Sequence, residues 1–172
     1  GFSCAGRQVV DGLRLAQGMT RKNALAGLWW GGGKGIITLP SRFGHPNEFG
    51  VATTDLAGER RRYFEAYGRF VASLGGVYYT AEDVGTTVAN MEVVGTQTRH
   101  VSGLPRSAGG SGDPSPATAR GVVVAMQAVA ERLWGGPDLR GRIVAIKGVG
   151  KVGMSLAERL HGPCGAVSVA EV

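Results

Sequence analysis

Cysteine is scarce: Cys4 and Cys164 are the two in 172 residues. That number cannot build a disulfide framework, and their separation is not that of a zinc site, so no metal is expected. The pair fits a reduced, intracellular protein, and a cytoplasmic location is the expectation. Long apolar runs are missing too. The longest, residues 122–130, is broken by Gln127 and is too short for a bilayer, so no membrane partner is expected. No basic-then-apolar leader opens the chain. The sequence lacks an initiating methionine and its last residues read as a strand, so it is expected to be an internal piece of a longer protein. Acidic residues are the minority, 13 against 19 Lys and Arg, for a net charge of +6.

That excess invites a nucleic-acid reading, which the densest basic run does not support. Glu59-Arg60-Arg61-Arg62 opens a stretch with Tyr63, Phe64, Tyr67, Phe70, Val71 and Leu74 at helical spacing. The aromatics are expected to face a core and the arginines the solvent. No nucleic-acid motif accompanies the charge, so no such partner is expected.

Glycine, by contrast, is plentiful: 30 of the 172 residues, about 17% against a typical ~7%. The glycines have no fixed period, which excludes collagen. They mark backbone positions that need tight turns or close ligand approach. Helical and extended segments alternate, as in an α/β protein. Residues 8–17 read as a helix stopped by Gly18, 35–39 as a strand, and 40–58 as a loop. The Arg-rich helix follows to Leu74 and is ended by Gly75-Gly76. Residues 77–80 read as a short strand, and Thr86 or Thr87 caps a helix towards Thr98. Residues 103–115, rich in glycine and proline, mark a domain boundary, with domains of 1–114 and 115–172. Ser115-Pro116 starts a helix whose apolar stripe is Val122, Met126, Val129 and Leu133, closed by Gly135.

The clearest motif comes last. A buried-strand pattern over 142–147 runs into Gly148-Val149-Gly150-Lys151-Val152-Gly153, then a helix over 154–161 and a strand over 166–170. Glu171 ends that strand. Gly148 allows the turn, Gly150 admits a pyrophosphate, and Gly153 lets helix and strand pack closely. The helix N-terminus offers N–H groups and partial positive charge to phosphates. Glu171 stands where a carboxylate accepts hydrogen bonds from the adenine ribose.

Three polar sites lie upstream: Lys22, Lys34 after Trp29-Trp30-Gly31-Gly32-Gly33, and Asp83 in Thr80-Ala-Glu-Asp-Val-Gly-Thr-Thr87. Three glycines before a lysine let a ligand lie against the backbone. Apolar indoles and a second cation would lower that lysine's pKa and suit it to act as a base. The ordinary alternatives stay open at this level: solvated lysines, and an aspartate serving as a turn or helix cap.

The motifs G-M-T-R-K-N-A, W-G-G-G-K-G, Y-T-A-E-D-V-G-T-T, S-G-D-P-S-P-A-T-A and G-V-G-K-V-G, in this order, resemble the leucine/phenylalanine/valine branch of the Glu/Leu/Phe/Val dehydrogenase family. The resemblance covers nearly the whole chain. It implies a substrate domain followed by the start of a Rossmann NAD-binding domain, with a closing cleft between them. It also implies NAD(P)-dependent oxidative deamination of an apolar L-amino acid to a 2-oxo acid and ammonium, in a homo-oligomer. By motif, Lys34 and Asp83 are the catalytic pair, and Lys22 and Ala81 bind substrate. Thr118, Gly148, Val149, Gly150, Lys151, Val152, Gly153 and Glu171 bind the dinucleotide. Glu171 favours NAD over NADP, whose 2′-phosphate it would repel. Lys151 stands where the family commonly has asparagine, its charge either favouring the pyrophosphate or facing solvent. Residues 40–58 are longer than the matching connection in the leucine dehydrogenases. A non-catalytic nucleotide-binding relative is the alternative function.

Overall fold

The computed structural model describes residues 4–38, 56–162 and 164–170. Five α-helices and two strands are found among them: α1 Cys4–Leu25, α2 Leu56–Ser73, α3 Val88–Gly95, α4 Ser115–Trp134, β1 Ile143–Lys147, α5 Lys151–Leu160 and β2 Ala166–Ala170. The chain divides into two compact units, Gly1–Gly112 and Asp113–Val172.

In the first unit, α1 runs straight through Gly18, where the sequence suggests a stop. A glycine inside a helix costs only about 1 kcal/mol relative to alanine, and the turn beyond it continues to Leu25. The real stop is Gly27, at φ +70. There Leu28 N–H reaches the Asn23 carbonyl at 2.9 Å and Gly27 N–H reaches that of Ala24 at 3.1 Å, the Schellman arrangement that a left-handed glycine permits. Helix α2 buries Phe64 and Val71, while Phe70 is exposed. Phe64 joins Met91 and Val94 of α3 and Val101 in the unit's core, with Tyr67, Ile37 and Leu104 packed against it. Arg61 and Arg62 are exposed as expected, but Arg60 is half-buried.

Neither strand expected here forms as one. Residues 77–80 contribute a single parallel bridge, Thr80 to Val101, because Gly103, at φ +77, and Pro105 turn the partner segment away. Residues 35–38 lie outside helix and strand among the described residues, and Leu39 lies outside that set. Thr87 caps α3, its hydroxyl accepting from Asn90 N–H while the Asn90 side chain accepts from Thr87 N–H, a reciprocal capping box.

The second unit holds the one parallel ladder among the described residues. Ile143 faces Ala166 and the register runs to Lys147 opposite Ala170. Helix α5 is the crossover, as parallel strands require. Its Leu156 and Leu160 pack with Ile146, Leu139 and the alanines Ala119 and Ala130 of α4. The buried stripe of α4 is therefore Ala119, Val123, Met126 and Ala130. Val122, Val129 and Leu133, the stripe expected from sequence, are 37%, 55% and 64% exposed. Both stripes have the same period and share Met126; the small alanines win because α5 packs closely there. Pro114, not Ser115, occupies the cap position, and Asp113 Oδ1 accepts from Ser115 N–H at 2.8 Å.

Candidate active site

Lys34 is placed by α1. The segment that carries it runs back along that helix: a Cβ on Gly32 would overlap the Ala16 carbonyl and Thr20, Ile36 packs on Gly12, and Thr38 hydrogen-bonds Gln8 at 3.2 Å. Asn23, buried on α1, donates to the Gly31 carbonyl at 2.6 Å. Side chains on Gly33 and Gly35 would strike Tyr78 and the Tyr67 hydroxyl. The glycines around Lys34 thus make room for the protein's own helix and tyrosines, which the sequence reading assigned to a ligand.

The Lys34 ammonium donates to Asp83 Oδ2, with the two side chains 20% and 54% exposed. Asp83 is held by its own turn: its N–H donates to the Thr86 hydroxyl, Thr86 N–H donates to its carbonyl, and Oδ1 accepts from Val84 N–H, all between 2.8 and 2.9 Å. The turn role and the pairing with lysine are therefore both real. One carboxylate oxygen fixes the loop and the other faces Lys34.

Burial away from water lowers the Lys34 pKa from its ordinary 10.5, because desolvation disfavours the ammonium. The indoles beside it lie largely in solvent. Trp29 is fully exposed and Trp30 is 61% exposed, stacked on Tyr79 at 5.5 Å. Tyr67, its own pKa pushed up to about 12 chiefly by burial, bonds the Thr80 hydroxyl at 3.0 Å and stays a neutral phenol. Lys22 stands exposed in the last turn of α1, and Ala81 is exposed two residues before Asp83. The structure joins Lys34 to Asp83. Asn23, Tyr67, Tyr78 and Thr80 were missed in the sequence; Asn23 and Thr80 sit inside quoted motifs, whereas Tyr67 gave no signal beyond aromatic periodicity and Tyr78 none beyond its β-prone stretch.

In the second unit the segment from Gly148 to Gly153 forms a turn into α5. Gly148 has φ +93, Gly150 is the extended N-cap of α5 with no side chain capping the helix, and a Cβ on Gly150 would meet open space. A Cβ on Gly153 would overlap the Gly148 carbonyl, so this glycine is demanded by packing. The helix starts at Lys151, three residues earlier than the sequence suggests. Val149 is half-buried and Val152 packs on the core. An uncapped helix start with open space over Gly150 fits a pyrophosphate. Lys151 lies 3.6 Å from Asp113 Oδ2, and Ser115, with Lys151 in a smaller part, holds the Asp113 pKa below its ordinary value. The Thr118 hydroxyl donates to the Pro114 carbonyl at 3.0 Å, which leaves its oxygen able to accept from a carboxamide. Glu171 lies outside the described residues, as does most of 40–58.

Comparison with known proteins places the chain in a family. The profile of the Glu/Leu/Phe/Val dehydrogenase dimerisation domain matches residues 6–100, and that of the Glutamate/Leucine/Phenylalanine/Valine dehydrogenase domain matches 109–171. A leucine dehydrogenase of Geobacillus stearothermophilus is 46% identical over 88% of this chain and 37% of its own length. A valine dehydrogenase of Streptomyces virginiae is 50% identical over 88% of this chain and 38% of its own. Among solved structures, an L-tryptophan dehydrogenase from Nostoc punctiforme matches with a TM-score of 0.59 at 30% identity, covering 100% of this chain and 43% of that one. A hetero-hexameric glutamate dehydrogenase from Thermus thermophilus, in a Leu-bound form, matches at 0.65 and 29%, covering 91% and 38%. The chain spans about two fifths of the length of these relatives.

Proposed function

The chain belongs to the Glu/Leu/Phe/Val dehydrogenase family, and we propose that the full-length protein carries out NAD-dependent oxidative deamination of an apolar L-amino acid, and the reverse amination. The products are the 2-oxo acid and ammonium. The observation that carries this reading is the Lys34–Asp83 pair, in a chain that also presents a dinucleotide turn over 148–153. Leucine and valine dehydrogenases among the relatives support the apolar preference.

Each residue has a chemical task in this reading. Lys22 offers its exposed ammonium to the substrate α-carboxylate, beside a substrate-binding stretch that includes Ala81. Asp83 accepts a proton from the substrate ammonium, because Cα cannot release hydride until the nitrogen lone pair is free to form the imine. When bound, the nicotinamide supplies the hydride acceptor. Lys34, its ammonium disfavoured by burial, takes a proton from water as the oxygen adds to the imine carbon. The hydrogen bond between Lys34 and Asp83 lets the proton pass to the departing nitrogen. Thr118, the backbone of Gly148, Val149, Gly150, Val152 and Gly153, and Lys151 hold the dinucleotide, with Glu171 on its ribose. We place NAD ahead of NADP on the charge of Glu171. The dimerisation profile over 6–100 supports a homo-oligomer.

The test is NADH formation by the full-length protein with leucine, valine, isoleucine and phenylalanine, beside Lys34→Ala. Turnover in the parent that the variant lacks supports the reading, whereas no turnover with any of them would favour a non-catalytic relative.

A further inference from the structure

The basic run on α2 contains one arginine that is not fully exposed. Arg60 is half-buried. Its guanidinium lies over the ring of Phe64, one turn on, at 5.3 Å from the centroid, and Phe64 is itself 1% exposed in the core. From this seat it donates to the Gly85 carbonyl at 3.0 Å, across 25 residues of sequence. Gly85, at φ +79, belongs to the 83–86 turn that directs the Asp83 carboxylate. The bonds within that turn are local ones, from Asp83, Val84 and Thr86 to one another. They set its shape. Its anchorage to the helical core is a separate matter, and Arg60 supplies a side-chain tie.

We propose that Arg60 is a positioning residue for the Lys34–Asp83 pair: seated on Phe64, it holds the Gly85 carbonyl and so fixes the turn that presents Asp83 to Lys34. The inference rests on the reading of that pair as the reacting groups. The chemistry suits arginine in particular. Its planar fork stacks on a ring and still directs an N–H at a carbonyl, whereas the lysine ammonium is a strongly hydrated point charge. A carboxylate displaced by about 1 Å from its working position loses on the order of 100-fold in rate, so a modest loosening of the turn is enough to register.

The experiment uses the full-length protein with Arg60→Met, Arg60→Lys and Lys34→Ala, measured by steady-state kinetics with leucine or valine and NAD. Arg60→Met is expected to lower kcat by tenfold or more, roughly, with KM for NAD and the thermal midpoint little changed. Arg60→Lys, which keeps the apolar stem and a cation, should recover part of that loss. Amide hydrogen exchange should quicken at Val84 and Thr86 in Arg60→Met. Parental kcat in both arginine variants overturns the proposal, and so does a loss of kcat that comes only with a matching loss of thermal midpoint. If Arg60→Met fails to fold, Arg60→Lys carries the test: parental kcat with unchanged exchange at Val84 and Thr86 overturns the proposal. An active Lys34→Ala would instead overturn the functional reading, and the exchange data would still report whether Arg60 ties down the turn.

Discussion

Two glycines of the proposed dinucleotide turn should respond in different ways to the same methyl group, one in stability and the other in affinity. Gly153 is the third residue of α5, and a Cβ there would sit inside the Gly148 carbonyl. Forcing extra volume into a packed site costs typically 1–3 kcal/mol, and the upper end applies because backbone rather than a flexible side chain must move. Replacing glycine by alanine in a helix returns about 1 kcal/mol. Gly153→Ala should therefore destabilise the second unit by roughly 2 kcal/mol, about 30-fold in its opening equilibrium. Gly150 has ordinary extended geometry, φ −64, and nothing within 4 Å of a built Cβ. Its alanine variant loses only the small preference for glycine over alanine at an N-cap, about 0.5–1 kcal/mol. On the proposed binding mode the same methyl would stand against the pyrophosphate, so NADH affinity should fall tenfold or more, about 1.4 kcal/mol. The measurements are NADH fluorescence titration and amide exchange over 143–160 in the full-length protein. Parental affinity in Gly150→Ala would show that the dinucleotide does not cross this turn. Parental stability in Gly153→Ala would refute the close approach.

In the full-length protein, Lys34→Ala and Asp83→Asn should each lower kcat by roughly 10²–10⁴ while NADH binding stays nearly parental; near-parental turnover in either removes the proposed mechanism. Lys22→Ala should act mainly on KM for the amino acid, because it deletes a charge partner for the carboxylate, and a pure kcat effect would contradict that role. Burial depresses the Lys34 pKa, so the neutral amine becomes the majority form at a pH below the ordinary 10.5. The rate should accordingly rise with pH along a limb whose midpoint lies below 10.5, and a limb at or above that value would be inconsistent. NAD should give higher kcat/KM than NADP, and equal or better kinetics with NADP would overturn the assignment of Glu171.

What was legible in the sequence was local. The fingerprint over 148–153 could be read because turn, helix start and packing glycine are all set within six residues, and the structure shows each doing its own physical task. The caps were nearly as clear: Gly75-Gly76 after α2, Thr87 before α3, and Gly135 at φ +79 after α4. What failed depended on neighbours. A β-prone stretch needs a partner along its length; among the described residues 77–80 pair through the single bridge of Thr80 to Val101, while Ile36 packs on Gly12 and Thr38 bonds Gln8 of α1. On α4 two stripes share one period, and periodicity cannot say which of them α5 covers. Gly18 misled because one glycine is a weak stop when the residues beyond it still favour helix.

The candidate site shows the same division, with one consequence for how glycine-rich loops are read. A Gly-Gly-Gly-Lys run suggests a cradle for a ligand, and here Gly31 does meet open space. Gly32, Gly33 and Gly35 do not. Side chains at those positions would collide with α1, Tyr78 and Tyr67, so the backbone lies closer to the protein than any other residue type allows. The Lys34 side chain carried by this segment is 20% exposed, and its ammonium reaches Asp83. The sequence offers the two tryptophans and a second cation as causes of a lowered lysine pKa, and the tryptophans are largely in solvent. The cause is burial, in a segment whose backbone lies against a helix and two tyrosines distant in sequence, neighbours that the glycines alone do not name.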